Sequence, residues 1–280
     1  MGETTAEPTS ADRRAVADLV RSGDRDRYWS ALFAPPQLRE DLLALYAFNL
    51  EIARIPYLVS EPMVGQIRLQ WWRDAIDLSS QGTRSGNPVA DALAIAIRRH
   101  ALPKAQLQGM VSARLFDIYT EPMAGIPELK AYLNETAGAL FAASLQIAGV
   151  RGEQADRTAQ IAGLAYGLTA LLRAVPLHTA SGRVFLPLPS LQAGGAPNVT
   201  RLAAELGDVR ASARSNLERF REVVADMPAT ARPVFLTLAL VEPTLDRMER
   251  PGFQPLRDVA DLPPLMRFWR IWKAALSGTI

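Results

Sequence analysis

Apolar residues recur at helical spacing along nearly the whole chain. The clearest case is the segment 36–56, where Leu38, Leu42, Leu45, Phe48 and Ile52 follow one another three or four residues apart. At this spacing they share one face of a helix, and that face must be buried against another element. No segment alternates apolar and polar residues, so strands are not expected. The same periodicity predicts helices over 11–22, 61–79, 89–100, 103–120, 127–149, 154–175, 199–226, 231–248 and 263–277. Ser10 is the expected N-cap of the first. Pro62, Pro103 and Pro127 sit where a first turn tolerates proline, whereas Pro56 and Pro176 are expected to end helices. Residues 1–10 are polar and expected to be disordered. Residues 179–200 form the one long irregular stretch. With no repeat or linker, the expectation is an all-α chain forming a single helical domain over 11–280.

Composition removes several chemistries. The 280 residues include no Cys and only two His, His100 and His178. Disulfides, Cys-ligated zinc, iron–sulfur clusters, thiol catalysis and a His-rich metal site are therefore excluded. The net charge of +2 is small, and Arg is interleaved with Asp and Glu. That argues against a nucleic-acid partner. The N-terminal MGETTAEPTSADRR has no apolar core, so a signal peptide is not expected there. No run approaches the roughly 18 apolar residues of a membrane span, so a cytoplasmic or peripheral location is expected.

Three segments carry a family likeness. The first is Tyr46-Ala47-Phe48-Asn49-Leu50-Glu51-Ile52-Ala53-Arg54-Ile55-Pro56-Tyr57. The second is RLQWWRDAIDL, with Leu69, Trp71 and Trp72. The third runs from Tyr166 through Leu172-Arg173-Ala174-Val175-Pro176-Leu177-His178 to Ser181-Gly182-Arg183-Val184-Phe185-Leu186-Pro187. In order and spacing these resemble the squalene/phytoene synthases, and LNETAGAL at 133–140 resembles that family's third conserved helix. The likeness spans about residues 24–275.

This resemblance implies an isoprenoid-synthase-like helical bundle with a central pocket. It also implies enzymes that join two isoprenyl diphosphates head to head. Their two Asp motifs hold Mg²⁺, a hard cation that neutralises the departing diphosphate. Here the corresponding positions are Ala53, Arg54 and Tyr57, then Ala174, Leu177 and His178. None is acidic. The expectation is no metal, no cofactor and no catalytic residue. Mg²⁺ returns only if the chain is a true prenyltransferase with unusual ligands. Nearby, Glu51 reads more simply as an i, i+3 partner of Arg54, and Asp74 and Asp77 as a solvated face.

The surviving residues suggest other uses. Arg54, Arg173 and Arg183, with His178, are candidates for binding an anion directly, since Arg holds phosphate without metal. The plainer alternative pairs these arginines with internal carboxylates or helix ends. Tyr46, Trp71, Trp72 and Tyr166 are candidates to line an apolar pocket, or are plain core. Residues 265–276, LMRFWRIWKAAL, mix aromatics with cations. That suits a membrane surface or a partner groove, or a packing helix with a basic outer face.

YAFNLEIARI, SEPMVGQIRLQWWRDAI and LLRAVPLHTASGRVFLP resemble one branch of the family in particular. That branch keeps the framework without the Asp motifs and includes a mitochondrial assembly factor of respiratory complex I. The resemblance implies a non-catalytic assembly or accessory factor for a membrane complex, peripheral to the inner membrane and engaging a protein or lipid. A prenyltransferase, and a lipid or prenyl-diphosphate binding protein, are the alternatives.

Overall fold

The computed structural model describes residues 9–82, 84–119, 121–193 and 198–280. Among these the chain is all-α, without a strand. The first half contains α1 (Ser10–Gly23), α2 (Arg25–Leu32), α3 (Pro36–Leu58), α4 (Pro62–Leu78), α5 (Pro88–His100), α6 (Lys104–Ala113) and α7 (Leu115–Ile118). Next come α8 (Ile126–Leu133), one π-helical turn (Asn134–Gly138), α9 (Ala139–Ile147) and the long α10 (Glu153–Ala180). The chain closes with α11 (Pro189–Gln192), α12 (Val199–Val224), α13 (Arg232–Phe235), α14 (Val241–Met248) and α15 (Pro264–Ser277).

Several boundaries differ from expectation. Of the segment 1–10, residues 1–8 lie outside the described residues. Thr9 caps α1 in a capping box with Asp12, and Ser10 is already helical. Pro56 does not end α3, which runs on to Leu58. Proline in a last turn forfeits a single amide bond, and the freed end is held by Arg183, which donates to the Pro56 carbonyl at 2.9 Å. Pro176 likewise sits inside α10, where it and Val175 are buried and the helix continues to Ala180. The expected helix over 103–120 breaks at Arg114, and α2 was not anticipated at all. The stretch 179–200 contains α11 and the start of α12, with 194–197 outside the described residues.

Among the described residues two large apolar clusters and a smaller third one, which anchors α15, form the core. Leu42, Leu45, Phe48, Ile52, Leu69, Trp72, Ile76 and Leu107 fill the N-terminal one. Leu168, Leu172, Leu217, Phe220, Phe235 and Leu245 fill the other large one, around α10 and α12. Each such side chain contributes roughly 1.5–3 kcal/mol by leaving water. Helix α9 is apolar all round and serves both, with Leu140 and Ile147 in one cluster and Phe141 and Leu145 in the other. Helix α10 is also long and apolar enough to cross a membrane, contrary to the expectation that no run approaches a span. Two thirds (67%) of that window is buried inside the fold, as suits a central core helix.

The π turn packs directly against α10. A Cβ on Gly163 would lie 2.5 Å from the Cα of Gly138. The backbones of α10 and the π turn therefore touch. This close approach places Leu133, Thr136 and Ala137 beside the bundle's interior cavity.

Candidate functional site

The C-terminal turns of α3 and α10 meet at one end of the bundle. The Tyr57 hydroxyl lies 3.4 Å from His178 Nε2. The Arg183 guanidinium sits 4.9 Å from the Tyr57 ring centroid, and the His178 ring packs 4.4 Å from that of Phe185. Burial first, and the charge of Arg183 second, push His178 down to about 4, so it is neutral near pH 7. This pair of helix ends carries all six positions singled out in the sequence. Ala53 and Ala174 are half-buried, while Arg54, Tyr57 and Leu177 are exposed. Arg54 pairs with Glu51.

The three candidate arginines each have a different partner. Arg54 is held by Glu51, Arg173 reaches Asp261 at 3.2 Å, and Arg183 caps α3. Trp71 points outward, edge-on to the buried Trp72 with ring centroids 5.0 Å apart. It continues an exposed apolar row on α4 with Met63 and Ile67, opposite the buried Leu69 and Ile76. Of the expected pocket residues, Tyr166 borders the interior cavity, and buried Tyr46 stands beside Arg27, whose guanidinium is 5.9 Å from its ring.

That cavity is a half-open cleft of about 200 Å³ between α3, α10 and the π turn. Its polar lining is Arg27, Asn49, Arg114, Tyr132, Thr136 and Tyr166, with Leu133, Leu140 and Leu171 as apolar walls. Arg27 donates to Asp24 at 2.6 Å and to the Tyr166 hydroxyl at 3.1 Å, and its guanidinium lies 4.6 Å from the Tyr166 ring. Arg114 donates to Asp117 at 3.0 Å and to the Tyr132 hydroxyl at 2.8 Å. Burial pushes the Asp117 carboxyl above the usual range, and Arg114 opposes that shift. Arg114 Nε and Asp117 Oδ1 are buried without partners, so this pair is incompletely satisfied.

Arg27 and Arg114 were not found from the sequence, and each had a faint signal. Asp24 and Arg27, like Arg114 and Asp117, stand three apart, which is ion-pair spacing on a helix. Both pairs adjoin aromatic residues, Tyr28 and Trp29 in one case and Phe116 in the other.

The residues present do not fit Mg²⁺. The cavity wall offers cations and hydroxyls and no carboxylate, and Asp24 and Asp117, which bond to its arginines, are each held there. Among the described residues no group of three Asp, Glu or His is placed to hold a metal.

The squalene/phytoene synthase family profile matches residues 20–270. The chain is 30% identical over 276 residues to the Bos taurus protein named NADH dehydrogenase (ubiquinone) complex I, assembly factor 6, covering 94% of this chain and 83% of that one. It is 27% identical over 178 residues to phytoene synthase of Mycobacterium tuberculosis, covering 64% and 58% respectively. In three dimensions it resembles a dehydrosqualene synthase solved with ligand, with a TM-score of 0.77, 17% identity and 96% of each chain covered.

Proposed function

The chain belongs to the squalene/phytoene synthase family, and on that premise we propose that it is a non-catalytic member. In this reading it serves as an assembly or accessory factor for a membrane complex of the respiratory complex I type. The assembly role is supported by the bovine relative, whose similarity extends over 94% of the chain.

One observation carries the non-catalytic part. Where α3 and α10 end side by side, the chain presents Tyr57 against a neutral His178, under the cation of Arg183. Ionising an allylic diphosphate needs two clusters of carboxylates around Mg²⁺ to stabilise the leaving group. A tyrosine, a neutral imidazole and an alanine supply no such ligands, and Arg54 repels a metal. The protein therefore works by binding. The outward apolar row of α4, Met63, Ile67 and Trp71, adjoins this end and supports a protein partner there.

A second reading is favoured by the interior cavity. Arg27 and Arg114 in its wall suit a small ligand with an anionic head, held without metal. The two readings are compatible, since a bound ligand could stabilise the form that meets the partner.

The test has two arms. Purified protein is incubated with farnesyl or geranylgeranyl diphosphate and Mg²⁺, and diphosphate release is measured with and without EDTA. No EDTA-sensitive release is expected, and any such turnover overturns the non-catalytic reading. Separately, the gene is deleted in its host and complex I activity is measured. A deficit restored by the intact chain is expected, and unchanged complex I overturns the assembly reading.

A further inference from the structure

Helix α15 carries two apolar faces, and only one of them is used inside the fold. At about 100° per residue, Arg267, Ile271 and Ala274 share one side. Ile271 and Ala274 are buried against Leu236, Leu240 and Leu262, and Arg267 is bonded to Asp26. On roughly the opposite side, Leu265, Phe268, Trp269, Trp272 and Leu276 fall within a sector of about 100°. All five are exposed, from 43% for Phe268 and Trp272 to 84% for Leu265. Among the described residues Phe268 alone of these has a ring partner, Trp29, edge-on at 5.3 Å between centroids.

One cation borders this row. Lys273 stands with its ammonium 5.3 Å from the Trp269 ring centroid, whereas Arg270 falls about 60° around the helix from Arg267, toward the buried side. Among the described residues neither has an ion-pair partner, and α15 contains no Asp or Glu. A row of this kind gains nothing from water, and packing does not require it, because the inner face already anchors the helix.

We propose that α15 docks the protein flat on an anionic lipid surface, with Leu265, Phe268, Trp269, Trp272 and Leu276 dipping into the headgroup boundary and Lys273 against the lipid phosphates. The chemistry favours lipid over a protein groove. Tryptophan and phenylalanine are at home where hydrocarbon meets headgroups, and a cation beside them without an ion-pair partner matches anionic lipid. The helix has 14 residues, about 21 Å at 1.5 Å per residue, which is too short to span a bilayer. It therefore lies in the plane. The inference does not depend on which complex the protein serves, or on whether it is catalytic.

The test is flotation of the full chain with vesicles of phosphatidylcholine alone, or of phosphatidylcholine with an equal part of phosphatidylglycerol. The intact protein should float with the anionic vesicles, and less so as salt is raised. Two exposed variants are compared, the double Trp269→Ser with Trp272→Ser and the single Lys273→Glu. Each should weaken partition on the order of tenfold while leaving the melting temperature unchanged. A third, Met63→Ser with Ile67→Ser on α4, should float like the intact chain. The proposal is overturned if the intact protein stays with the soluble fraction. It is equally overturned if flotation is the same on both vesicles, or if it survives both α15 variants.

Discussion

The Tyr57 hydroxyl stands 3.4 Å from His178 Nε2, and so links the last turn of α3 to the last turn of α10. A neutral imidazole can accept from the hydroxyl or donate to it, depending on its tautomer. Burial and Arg183 enforce that state by holding the ring at about 4, below its ordinary 6.5. A depressed base is protonated more readily in the unfolded chain. His178 thus contributes stability that is full above its unfolded value and is lost as the pH falls through the folded one. Between about pH 7 and about pH 4.5, the native protein should lose more melting temperature than His178→Phe, which keeps a ring against Phe185. Other carboxylates titrate equally in both proteins. Parallel melting curves would show that another group dominates.

Much of the fold could be read from periodicity. Helices expected over 61–79, 199–226 and 263–277 appear as Pro62–Leu78, Val199–Val224 and Pro264–Ser277. The errors share a physical cause. Pro56 and Pro176 read locally as stops, but tertiary packing and the Arg183 cap carry both helices past them. Helix α2 has only eight residues and buries Asp26, Arg27, Ser30 and Ala31. Buried charge has no apolar signature: the Asp24–Arg27 and Arg114–Asp117 pairs read like surface i, i+3 pairs, and only the tertiary fold buries them. For the same reason the six motif positions at the helix ends were legible through resemblance, and the arginines of the interior cavity were not.

Gly163 and Gly138 set how closely α10 approaches the π turn. A methyl group on Gly163 would meet the Gly138 Cα and N at 2.5 Å each. Both are backbone atoms, so no side chain can swing aside to relieve the clash. Gly163→Ala should therefore cost about 2–3 kcal/mol despite its better helix propensity, as measured by urea unfolding. Gly109→Ala is the control, since nothing lies within 4 Å of its Cβ position. That change should be neutral or stabilising. Equal stabilities for the two variants would refute the close approach.

Arg27 neutralises Asp24 inside the wall of the cavity. Arg27→Met keeps the length and apolar stem but leaves the nearly buried Asp24 without its cation. Asp24 still accepts from the Arg27 backbone N–H at 3.1 Å, so the loss should fall near the lower end for a broken buried pair, about 3 kcal/mol. Adding Asp24→Asn to Arg27→Met should recover part of that loss, because the stranded charge disappears. Chemical denaturation of both single variants and the double gives the coupling. A coupling near zero would mean that water screens the pair.

Asp26 and Arg267 fasten α15 to α2. The Arg267 Nε donates to Asp26 Oδ1 at 2.9 Å, and a second guanidinium nitrogen reaches the other oxygen, so the fork is bidentate. The Asp26 side chain is 7% exposed and has no other ion-pair partner among the described residues. Arg267→Ala should then cost about 3 kcal/mol, whereas Arg270→Ala, one turn-face away on the same helix, should stay within about 0.5 kcal/mol. Hydrogen exchange separates loosening of α15 from general destabilisation. In Arg267→Ala, amides of Pro264–Ser277 should lose protection before those of the core helices α9 and α10. Removing the stranded charge with Asp26→Ala should restore part of the stability. If Arg267→Ala and Arg270→Ala behave alike, α15 is held by Ile271 and Ala274 alone, and the fork contributes nothing.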